Sequence, residues 1–489
     1  MSFYRPDRSL PRRFGLIQAS FLQSEGLPFA EVLSEDQIQQ AFADEGVDFA
    51  QEEDEIYTPP LTLWAFLSQV LHKAEQRSCV AAVSRVLVLL VALGREPCSK
   101  NTGAYCRARA KLPEKVIERL AVDMARGCEA QIPRGWLWHQ HHVKMIDGTT
   151  ASMPDTAENR AAYPQHSAQK EGLGFPIIRI VVALSLATAM LCSAAMGPYS
   201  GKETGEMALL RQVLDQFTPG DILLADRYFC SFFMIALLLN GKCDFETRLH
   251  QRRKTDFSRA TRLGKGDYLV VWKRPEKPDW MDDATYEQMP ETLILRQVEV
   301  QVHQRGFRTE SLVVVTTLVN AKKYRREEIA DLYRRRWQVE LDIEAIKITL
   351  GMDVLRCQTP EMVRKEIWTC LLAYNLLRKT MLQAAHRNEL SPRQLSFATA
   401  VQTVAASWMT LPLANGTSAL ALVIAQLDSL AQQQVGDRPN RVEPRAVKRR
   451  PKPHRLLTKS REEARAELLR GVQEPESEAE AEAEARKVA

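Results

Sequence analysis

The pattern of apolar and polar residues divides the chain into a helical first part and a mixed second part. In residues 60–130, apolar side chains recur every three or four positions, as in PLTLWAFLSQVLHKAEQRSCVAAVSRVLVLLVALG, which predicts amphipathic helices. SKNTGAYCRARAKLPEKVIERLAVDMARG continues this pattern and has a basic face at Arg107, Arg109 and Lys111. A helical N-terminal domain over 1–135 could therefore hold DNA, and a plain helical bundle explains the same pattern equally well.

From His141 onwards, short apolar runs alternate with turn residues, which is typical of strands and short helices. HVKMIDGTT predicts a strand that ends at Asp147, and ILLAD predicts a buried strand that ends at Asp226. FPIIRIVVALSLATAMLC supplies two more strands, EMALLRQVLDQF a helix and SLVVVTTLV another strand, so the fold class is α/β. Ligands collect at the carboxyl ends of strands in open α/β sheets, although a single aspartate there is more often a cap or turn residue.

Residues 244–310 differ from their neighbours because they alternate between apolar and polar positions and contain many turn residues. This segment predicts a small β-rich insertion that divides an α/β core into two parts, 136–243 and 311–385. A helical region over 386–436 and a terminal segment over 437–489 are expected to follow the core.

Composition restricts the class of protein. The chain has 489 residues, 45% of them hydrophobic and 26% charged, as soluble globular proteins of several domains have. Its nine cysteines form no CxxC pair, which favours reduced thiols in a cytosol over a disulfide scaffold or zinc finger. The N-terminus lacks an apolar segment of the signal-peptide kind, so we expect a cytoplasmic protein.

Two further patterns predict less than they first suggest. IVVALSLATAMLCSAAM at 180–196 is just under the length of a bilayer span, but two adjacent buried strands explain it better, so no membrane partner is expected. WHQHH at 138–142 concentrates histidines without the spacing of metal ligands, so no metal site is expected there.

Charge is distributed unevenly, although the net charge is only +5. In RPNRVEPRAVKRRPKPHRLLTKSR at 438–461, all charged residues but Glu443 are cationic, and prolines interrupt the segment. This favours contact with nucleic acid over a solvated linker. The acidic, low-complexity sequence EPESEAEAEAEA that follows is expected to be disordered or a frayed helix.

The stretch YRRRWQVELDIEAIK at 333–347 contains four basic and three acidic residues. On a helix of about 100° per residue, five polar side chains would share one narrow stripe: Tyr333, Arg336, Glu340, Glu344 and Lys347. Asp342 would point away from it. Pairing between residues four apart explains only Arg336 with Glu340, so the stripe indicates a site rather than a solvated face.

Carboxylates from two strand ends and a helix can hold two hard divalent cations about 3.5–4 Å apart. Such a pair activates a water or a 3′ hydroxyl for in-line attack on phosphorus. Tyr333 and Arg336 before Glu340, and Lys347 after it, would grip the flanking phosphates. The stripe therefore predicts phosphoryl transfer on nucleic acid.

Three ordered motifs resemble the DDE transposases of the bacterial insertion-sequence-4 type. Tyr333, Arg336, Glu340 and Lys347 match the YREK signature, Tyr-x2-Arg-x3-Glu-x6-Lys, of that family. IDGTT is similar to the context of its first aspartate, and GDILLADRYFCSF to that of its second, where Arg227 follows directly. CLLAYNLLR and PRAVKRRPKP also resemble family segments, and the similarity extends over roughly 59–461, without the acidic tail.

The resemblance implies an RNase H-like catalytic core, with a β-strand insertion between the second aspartate and the glutamate. It implies Asp147, Asp226 and Glu340 as a metal-binding triad for two Mg²⁺ or Mn²⁺ ions. In some members an aromatic residue of the insertion stacks on a flipped base, and Trp272 is the candidate here, although a buried structural tryptophan fits equally well.

The activity implied by the resemblance is cut-and-paste transposition of an insertion sequence. Such enzymes hydrolyse the DNA at the ends of the element, and the freed 3′ hydroxyl can form a hairpin before it joins to target DNA. The implied partners are DNA with terminal inverted repeats, target DNA and a second copy of the chain on that DNA. The implied location is the cytoplasm of a bacterium, at the nucleoid.

Two alternatives stay open from the residues alone. A metal-dependent nuclease that cuts without joining would need the same carboxylates. A non-catalytic DNA-binding protein derived from a transposase would not need them, so three intact acids speak against it.

Overall fold

A computed structural model describes residues 9–47, 49–52, 54–170, 172–253, 255–301, 311–414, 416–436 and 457–470. The acidic tail and almost all of the basic segment at 438–461 lie outside these ranges. Within them, no helix combines the length and the apolar character needed to cross a membrane.

Among the described residues, six α-helices precede the first strand: α1 (Gly15–Ser20), α2 (Glu35–Asp44), α3 (Pro59–Leu71), α4 (Cys79–Ala92), α5 (Gly103–Lys111) and α6 (Glu114–Gln131). The apolar periodicity of residues 60–130 predicts helices where α3 to α6 lie. Thr58 and Ser78 cap α3 and α4 with their hydroxyls, and a proline follows Thr58 at the first helical position. Helix α3 is buried along nearly its whole length, because it lies at the centre of the helical part of the chain.

Nine strands of the described residues form one sheet: β1 (Val143–Ser152), β2 (Ile177–Ser185), β3 (Leu191–Pro198), β4 (Ile222–Ala225), β5 (Asp244–Arg248), β6 (Thr261–Gly264), β7 (Asp267–Lys273), β8 (Thr292–Gln301) and β9 (Ser311–Thr316). Their order across the sheet is β3-β2-β1-β4-β5-β9-β8-β7-β6. The pairs β1–β4 and β4–β5 are parallel, and the other neighbours are antiparallel. The prediction of a mixed α/β fold is confirmed.

The segment predicted as a β-rich insertion extends this sheet rather than forming a second layer. Strand β5, which begins where that segment was predicted to begin, lies in the middle of the sheet between β4 and β9. Strands β6, β7 and β8 continue the sheet beyond β9.

The remaining α-helices of the described part are α7 (Ala157–Ala162), α8 (Glu206–Arg211), α9 (Phe232–Asn240), α10 (Asp283–Glu287), α11 (Arg326–Arg335), α12 (Gln338–Glu344), α13 (Pro360–Arg387), α14 (Phe397–Ser407) and α15 (Gly416–Gln432). Helices α8 and α9 cover one face of the sheet. Helices α11 to α13 cover the other face, where they join the core formed by the N-terminal helices.

Helix α13 carries the family-like sequence CLLAYNLLR, and its polar side chains connect the helical part of the chain to the sheet. The amide of Asn375 donates to the carbonyls of Leu191 and Ala121, both at 2.9 Å, and its oxygen accepts from the Leu191 amide at 2.8 Å. The Tyr374 hydroxyl donates to the Ala189 carbonyl at 2.7 Å. These bonds fix α13 against the end of β3 and against α6.

The prediction that the first strand ends at Asp147 is wrong, since β1 continues to Ser152. Its parallel partner β4 does stop at Ala225, but its antiparallel partner β2 pairs with β1 as far as Ser152. The turn-like sequence GTT is therefore held in the strand by β2 alone.

The prediction of one regular helix through 333–347 is also wrong. The amides of Arg336 and Glu340 bond to carbonyls three residues earlier, which tightens the turn between α11 and α12. Residues Ala345–Thr349 form a π-helix, with the Leu350 amide bonded to the Ala345 carbonyl at 3.0 Å. A uniform 100° step therefore misplaces Lys347 relative to Glu340.

Asp342 points away from the predicted polar stripe and into the core, where it forms a buried ion-pair network. Its carboxylate accepts from Arg378 of α13 at 2.9 Å and from Arg393 at 2.9 Å. The Asp342 side chain is only 3% exposed, so solvent screens these contacts little. The network fixes how α12 is rotated about its axis.

Replacing Asp342 with alanine should leave two arginines without their carboxylate and destabilise the fold by about 3–5 kcal/mol. The matched control is Asp331→Ala on α11, which removes exposed pairs with Arg334 and Arg335 and should cost about 0–1 kcal/mol. Urea unfolding of both variants measures the difference, and equal losses would contradict a structural role for the Asp342 network.

Glu246 of β5 is fully buried beneath α11, and neither of its carboxylate oxygens has a hydrogen-bond partner among the described residues. Burial raises its pKa well above the ordinary value, and the charge of Arg296 only partly opposes this. The folded protein therefore holds Glu246 in its neutral form over a range of pH in which the unfolded chain ionises it.

Because the folded pKa is raised, the stability associated with Glu246 is complete below about pH 4.5 and is lost as the pH rises from there towards the folded pKa. Glu246→Gln keeps the shape of the side chain and removes this titration. The variant should gain thermal stability over the unmodified protein as pH rises from 5 to 8. Parallel melting curves across that range would contradict the assignment.

Candidate active site

Asp147 and Asp226 lie side by side at the point where the parallel pairing of β1 with β4 ends. The last pair in that register is Ile146 with Ala225, so the next residue on each chain segment is one of the two aspartates. Side chains alternate along a strand, so both aspartates point to the face that carries Met145. Neighbouring strands are about 4.8 Å apart, which brings the two carboxylates together on one face.

The surroundings of Asp147 oppose its negative charge more than they favour it. Burial raises its pKa to about 6, and the carboxylates of Asp226 and Glu206 act in the same direction. The Gly148 amide, which donates to Asp147 Oδ1 at 2.8 Å, and the guanidinium of Arg336 act against them. Asp147 is therefore a carboxylate that gains from a nearby positive charge.

Asp226 begins the short turn after β4. Its Oδ1 accepts from the Tyr228 amide at 2.8 Å, and its carbonyl accepts from the Thr247 hydroxyl of β5 at 2.6 Å. The turn is thus fixed from both sides, and the charge of Asp226 acts on both Asp147 and Glu206.

Glu340 reaches the same place from α12, and one guanidinium connects it to Asp147. Arg336 Nη2 donates to Glu340 Oε1 at 2.8 Å, while Arg336 Nη1 lies 3.5 Å from Asp147 Oδ2. Arg336 therefore pairs with Glu340 along the helix, and it also contacts Asp147 of the sheet. The three acids named by the resemblance meet at one site.

The other residues of the predicted stripe are arranged less tightly. Tyr333 lies next to Arg336 and feels the charges of Arg336 and Asp226, while burial raises the pKa of its hydroxyl to about 12. Lys347 is half-buried within the π-helix, Glu344 is exposed, and Arg227 is exposed on the turn after Asp226. Of this group, only Arg336 touches the acids in the described structure.

Trp272, the candidate for base stacking, is 8% exposed and packs in the core on the other face of the sheet. The guanidinium of Arg253 lies over its ring at 3.8 Å. A base could stack on this ring only after Arg253 has moved away.

Two acidic residues that sequence reasoning did not select bear on the site. Glu206 begins α8 and acts electrostatically on Asp147, but no sequence signal distinguishes it from other helix-starting acids. Asp342 positions α12. The sequence contained a signal for this role, because Asp342 lies on the apolar face of the helix, between Val339 and Ile346. An acid on such a face requires a buried cation.

The chemistry of the donors fits a hard divalent cation, because aspartate and glutamate oxygens are the ligands that Mg²⁺ and Mn²⁺ prefer. Across the described ranges, no group of three or more His, Cys, Asp or Glu side chains is arranged to hold a metal ion as it stands. At the present site, the guanidinium of Arg336 contacts both Asp147 and Glu340. A cation would have to take its place.

Comparisons with known proteins show that the chain is similar to transposases. A family model described as "Transposase DDE domain" matches residues 138–376, a span that holds all three acids. The transposase InsG of insertion sequence element IS4 from Escherichia coli K12 is 28% identical over 405 residues, which cover 80% of this chain and 85% of that protein. The transposase for insertion sequence element IS421 from Escherichia coli is 38% identical over 65 residues, 13% of this chain and 18% of that protein.

Among solved structures, the piggyBac transposase in a synaptic complex with hairpin DNA aligns with 88% of this chain and 88% of its own, at 10% identity and a TM-score of 0.42. A similarity of that size adds nothing to the identification, which depends on the sequence matches. The resemblance found in the motifs is confirmed by them. Residues 138–376 thus match a transposase DDE domain, and most of the chain is similar to the transposase of insertion sequence element IS4.

Proposed function

We propose that Asp147, Asp226 and Glu340 are the triad with which this DDE transposase cuts and joins DNA. The observation that carries the proposal is their arrangement. The two aspartates directly follow the last residue pair of β1 with β4, and the glutamate shares Arg336 with Asp147. The function is DNA transposition, and the alternatives of a nuclease without joining activity or a non-catalytic relative are not favoured by the sequence matches.

We further propose that strands β1 to β5 form an RNase H-like core. Their order β3-β2-β1-β4-β5, with two antiparallel and two parallel pairings, supports this assignment. Strands β6 to β8 would then be the insertion between the second aspartate and the glutamate. The helices α1 to α6 would be the N-terminal DNA-binding domain.

DDE transposases generally use divalent metal ions, and two Mg²⁺ or Mn²⁺ ions are proposed here. Asp147, Asp226 and Glu340 would hold them. When bound, such a pair of ions lowers the pKa of a water or 3′ hydroxyl and neutralises charge on the phosphate. The carboxylates of this chain already repel one another, since Asp226 and Glu206 raise the pKa of Asp147, and bound cations would remove that repulsion.

Arg336 would then have two positions. Without metal its guanidinium neutralises Asp147 and Glu340, in the space where a cation would bind. The same guanidinium would be available to a phosphate beside the scissile bond once cations neutralised these carboxylates. Binding of metal and binding of DNA would therefore support each other.

Tyr333, Lys347 and Arg227 are proposed to contact phosphates around the same position. They lie on the helical segment that carries Glu340 or on the turn that carries Asp226, so they move with the triad. Trp272 remains a candidate for stacking on a flipped base, provided that Arg253 leaves its ring.

The proposed substrates are DNA ends with terminal inverted repeats and a target DNA, in a bacterial cytoplasm at the nucleoid. Joining two ends of one element needs two active sites, so a homodimer on DNA is proposed. The basic segment at 438–461 would add phosphate contacts, which would make binding strongly dependent on salt.

Asp147→Asn, Asp226→Asn and Glu340→Gln should each reduce cleavage of end DNA by more than about a hundredfold, since even residues that only support metal ligands contribute 10–100-fold. DNA binding should change little, because many cations outside the triad hold the DNA. Glu344→Gln is the matched control, as it removes an exposed carboxylate one turn after Glu340. Gel assays of cleavage and of binding measure both effects; loss of cleavage in Glu344→Gln with full activity in Glu340→Gln would show that the wrong acid had been chosen.

Arg336→Ala should slow cleavage by about a hundredfold at DNA concentrations that saturate binding, because the reacting phosphate loses its positioning group. Without DNA, the same variant should bind Mn²⁺ more tightly, since no guanidinium competes for Asp147 and Glu340. Lys347→Ala should slow cleavage without tightening Mn²⁺ binding. Titration of Mn²⁺ followed by electron paramagnetic resonance separates the two variants, and weaker Mn²⁺ binding by Arg336→Ala would overturn the idea that Arg336 stands in for a cation.

A further inference from the structure

Glu206 contacts Gly148, the residue after Asp147, although it belongs to none of the motifs, and its charge acts on Asp147. It is the first residue of α8, and its carboxyl group rests directly on the backbone of Gly148. A Cβ atom at position 148 would lie 2.3 Å from Glu206 Oε1 and 2.8 Å from Glu206 Cγ. The missing side chain at Gly148 is thus what allows this carboxylate to approach the residue next to Asp147.

The same segment also touches the turn that presents Asp226. A Cβ atom at Gly205 would lie 3.4 Å from the hydroxyl of Tyr228, and the amide of Tyr228 donates to Asp226 Oδ1 at 2.8 Å. Residues 205 and 206 therefore pack between β1 and the turn after β4, in contact with the neighbours of both aspartates.

Arg179 of β2 anchors this segment from the other side. Its Nη1 donates to the Thr204 carbonyl at 2.7 Å, and its guanidinium lies over the ring of Tyr199 at 4.4 Å. These contacts hold the loop before α8 against the sheet. The position of Glu206 is thus defined by packing and hydrogen bonds that do not involve its own carboxylate.

The carboxylate of Glu206 itself lacks a bonded partner. In the part of the chain that the structure describes, it makes no hydrogen bond or ion pair, although Glu206 is half-buried. Arg179 favours its charge at longer range, while burial and the charge of Asp226 oppose it. A partly buried carboxylate that is positioned by its surroundings and has no donor is a group suited to a further ligand.

We propose that Glu206 is a fourth carboxylate of the metal site. Glu206 would either bind the cation held by Asp147 and Asp226 or accept a hydrogen bond from a water bound to that cation. This inference rests on the proposed function, because it assumes that those two aspartates bind divalent metal.

The coordination chemistry of Mg²⁺ explains why a fourth carboxylate would be useful. Mg²⁺ requires six oxygen ligands in near-octahedral geometry, more than two or three carboxylates supply. A carboxylate from a separate element can fill one position or accept a hydrogen bond from a metal-bound water and so fix its direction. Glu206 approaches from the α8 side of β1, whereas Glu340 approaches from the α12 side. The two glutamates would thus support the aspartates from opposite directions.

The test compares Glu206→Gln with Glu203→Gln, measured on the full chain without DNA by Mn²⁺ titration and electron paramagnetic resonance. Glu206→Gln keeps the size of the side chain and should weaken Mn²⁺ binding by about tenfold or more. Glu203→Gln removes an equal charge from the same loop, where Glu203 pairs with Arg211, and should bind Mn²⁺ as the unmodified protein does. With DNA, Glu206→Gln should require more Mg²⁺ for half-maximal cleavage, whereas Glu203→Gln should not.

Gly148→Ala provides a second, independent variant. Its new methyl group should displace the Glu206 carboxyl and weaken Mn²⁺ binding in the same way. In a Glu206→Gly background the clash is absent, so adding Gly148→Ala should have little further effect on Mn²⁺ binding. Full additivity of the two changes would overturn the proposal, because it would mean that Gly148→Ala acts through Asp147 alone.

Asp147→Asn serves as the reference variant. It distinguishes a failure of the Glu206 proposal from a failure of the proposed triad. If Asp147→Asn loses Mn²⁺ binding while Glu206→Gln binds Mn²⁺ normally and needs no extra Mg²⁺ for cleavage, the metal site stands and the role of Glu206 is refuted. If Asp147→Asn itself binds Mn²⁺ and cleaves normally, the proposed triad is wrong, and the inference about Glu206 falls with it.

Discussion

The buried ion pairs of Asp342 with Arg378 and Arg393 determine how the site can be assembled. Glu340 and Asp342 are two residues apart, so they point to nearly opposite sides of α12. Fixing Asp342 in the core therefore directs Glu340 towards β1, where Asp147 lies. Arg378 belongs to α13, and α13 is hydrogen-bonded to the end of β3. The rotation of α12 is therefore fixed relative to the sheet that carries the aspartates. A site built from a helix and two strands needs such a connection, because small errors in position are costly in catalysis.

The acids are brought together against their mutual repulsion. The register of β1 with β4 places Asp147 and Asp226 next to each other. Glu206, which packs against Gly148, adds a third negative charge. In the described structure the guanidinium of Arg336 is the cation that touches Asp147 and Glu340. The sheet thus holds together carboxylates that a positive charge would stabilise, as the proposed metal site requires.

Much of this could be predicted from the sequence, and the failures have physical causes. The helical first part, the two aspartate-bearing strands and the glutamate helix follow from periodicity and motifs. Periodicity could not show that β1 continues past Asp147, because β2 supplies the pairing that GTT does not suggest. Nor could it show the tight turn before Glu340 or the π-helix at Lys347, since both depend on which carbonyl an amide reaches. Glu206 was missed because its importance comes from contact with Gly148, a residue 58 positions away.

Asp147, Asp226 and Glu340 are proposed to hold two divalent cations at one place. The most direct test is a crystal structure of the protein with Mn²⁺ and cleaved end DNA, in which anomalous scattering locates the ions. The account predicts two Mn²⁺ ions about 3.5–4 Å apart between these three carboxylates, with the Arg336 guanidinium withdrawn from Asp147. Ions bound elsewhere, or Arg336 still bridging Asp147 and Glu340 in that complex, would contradict it.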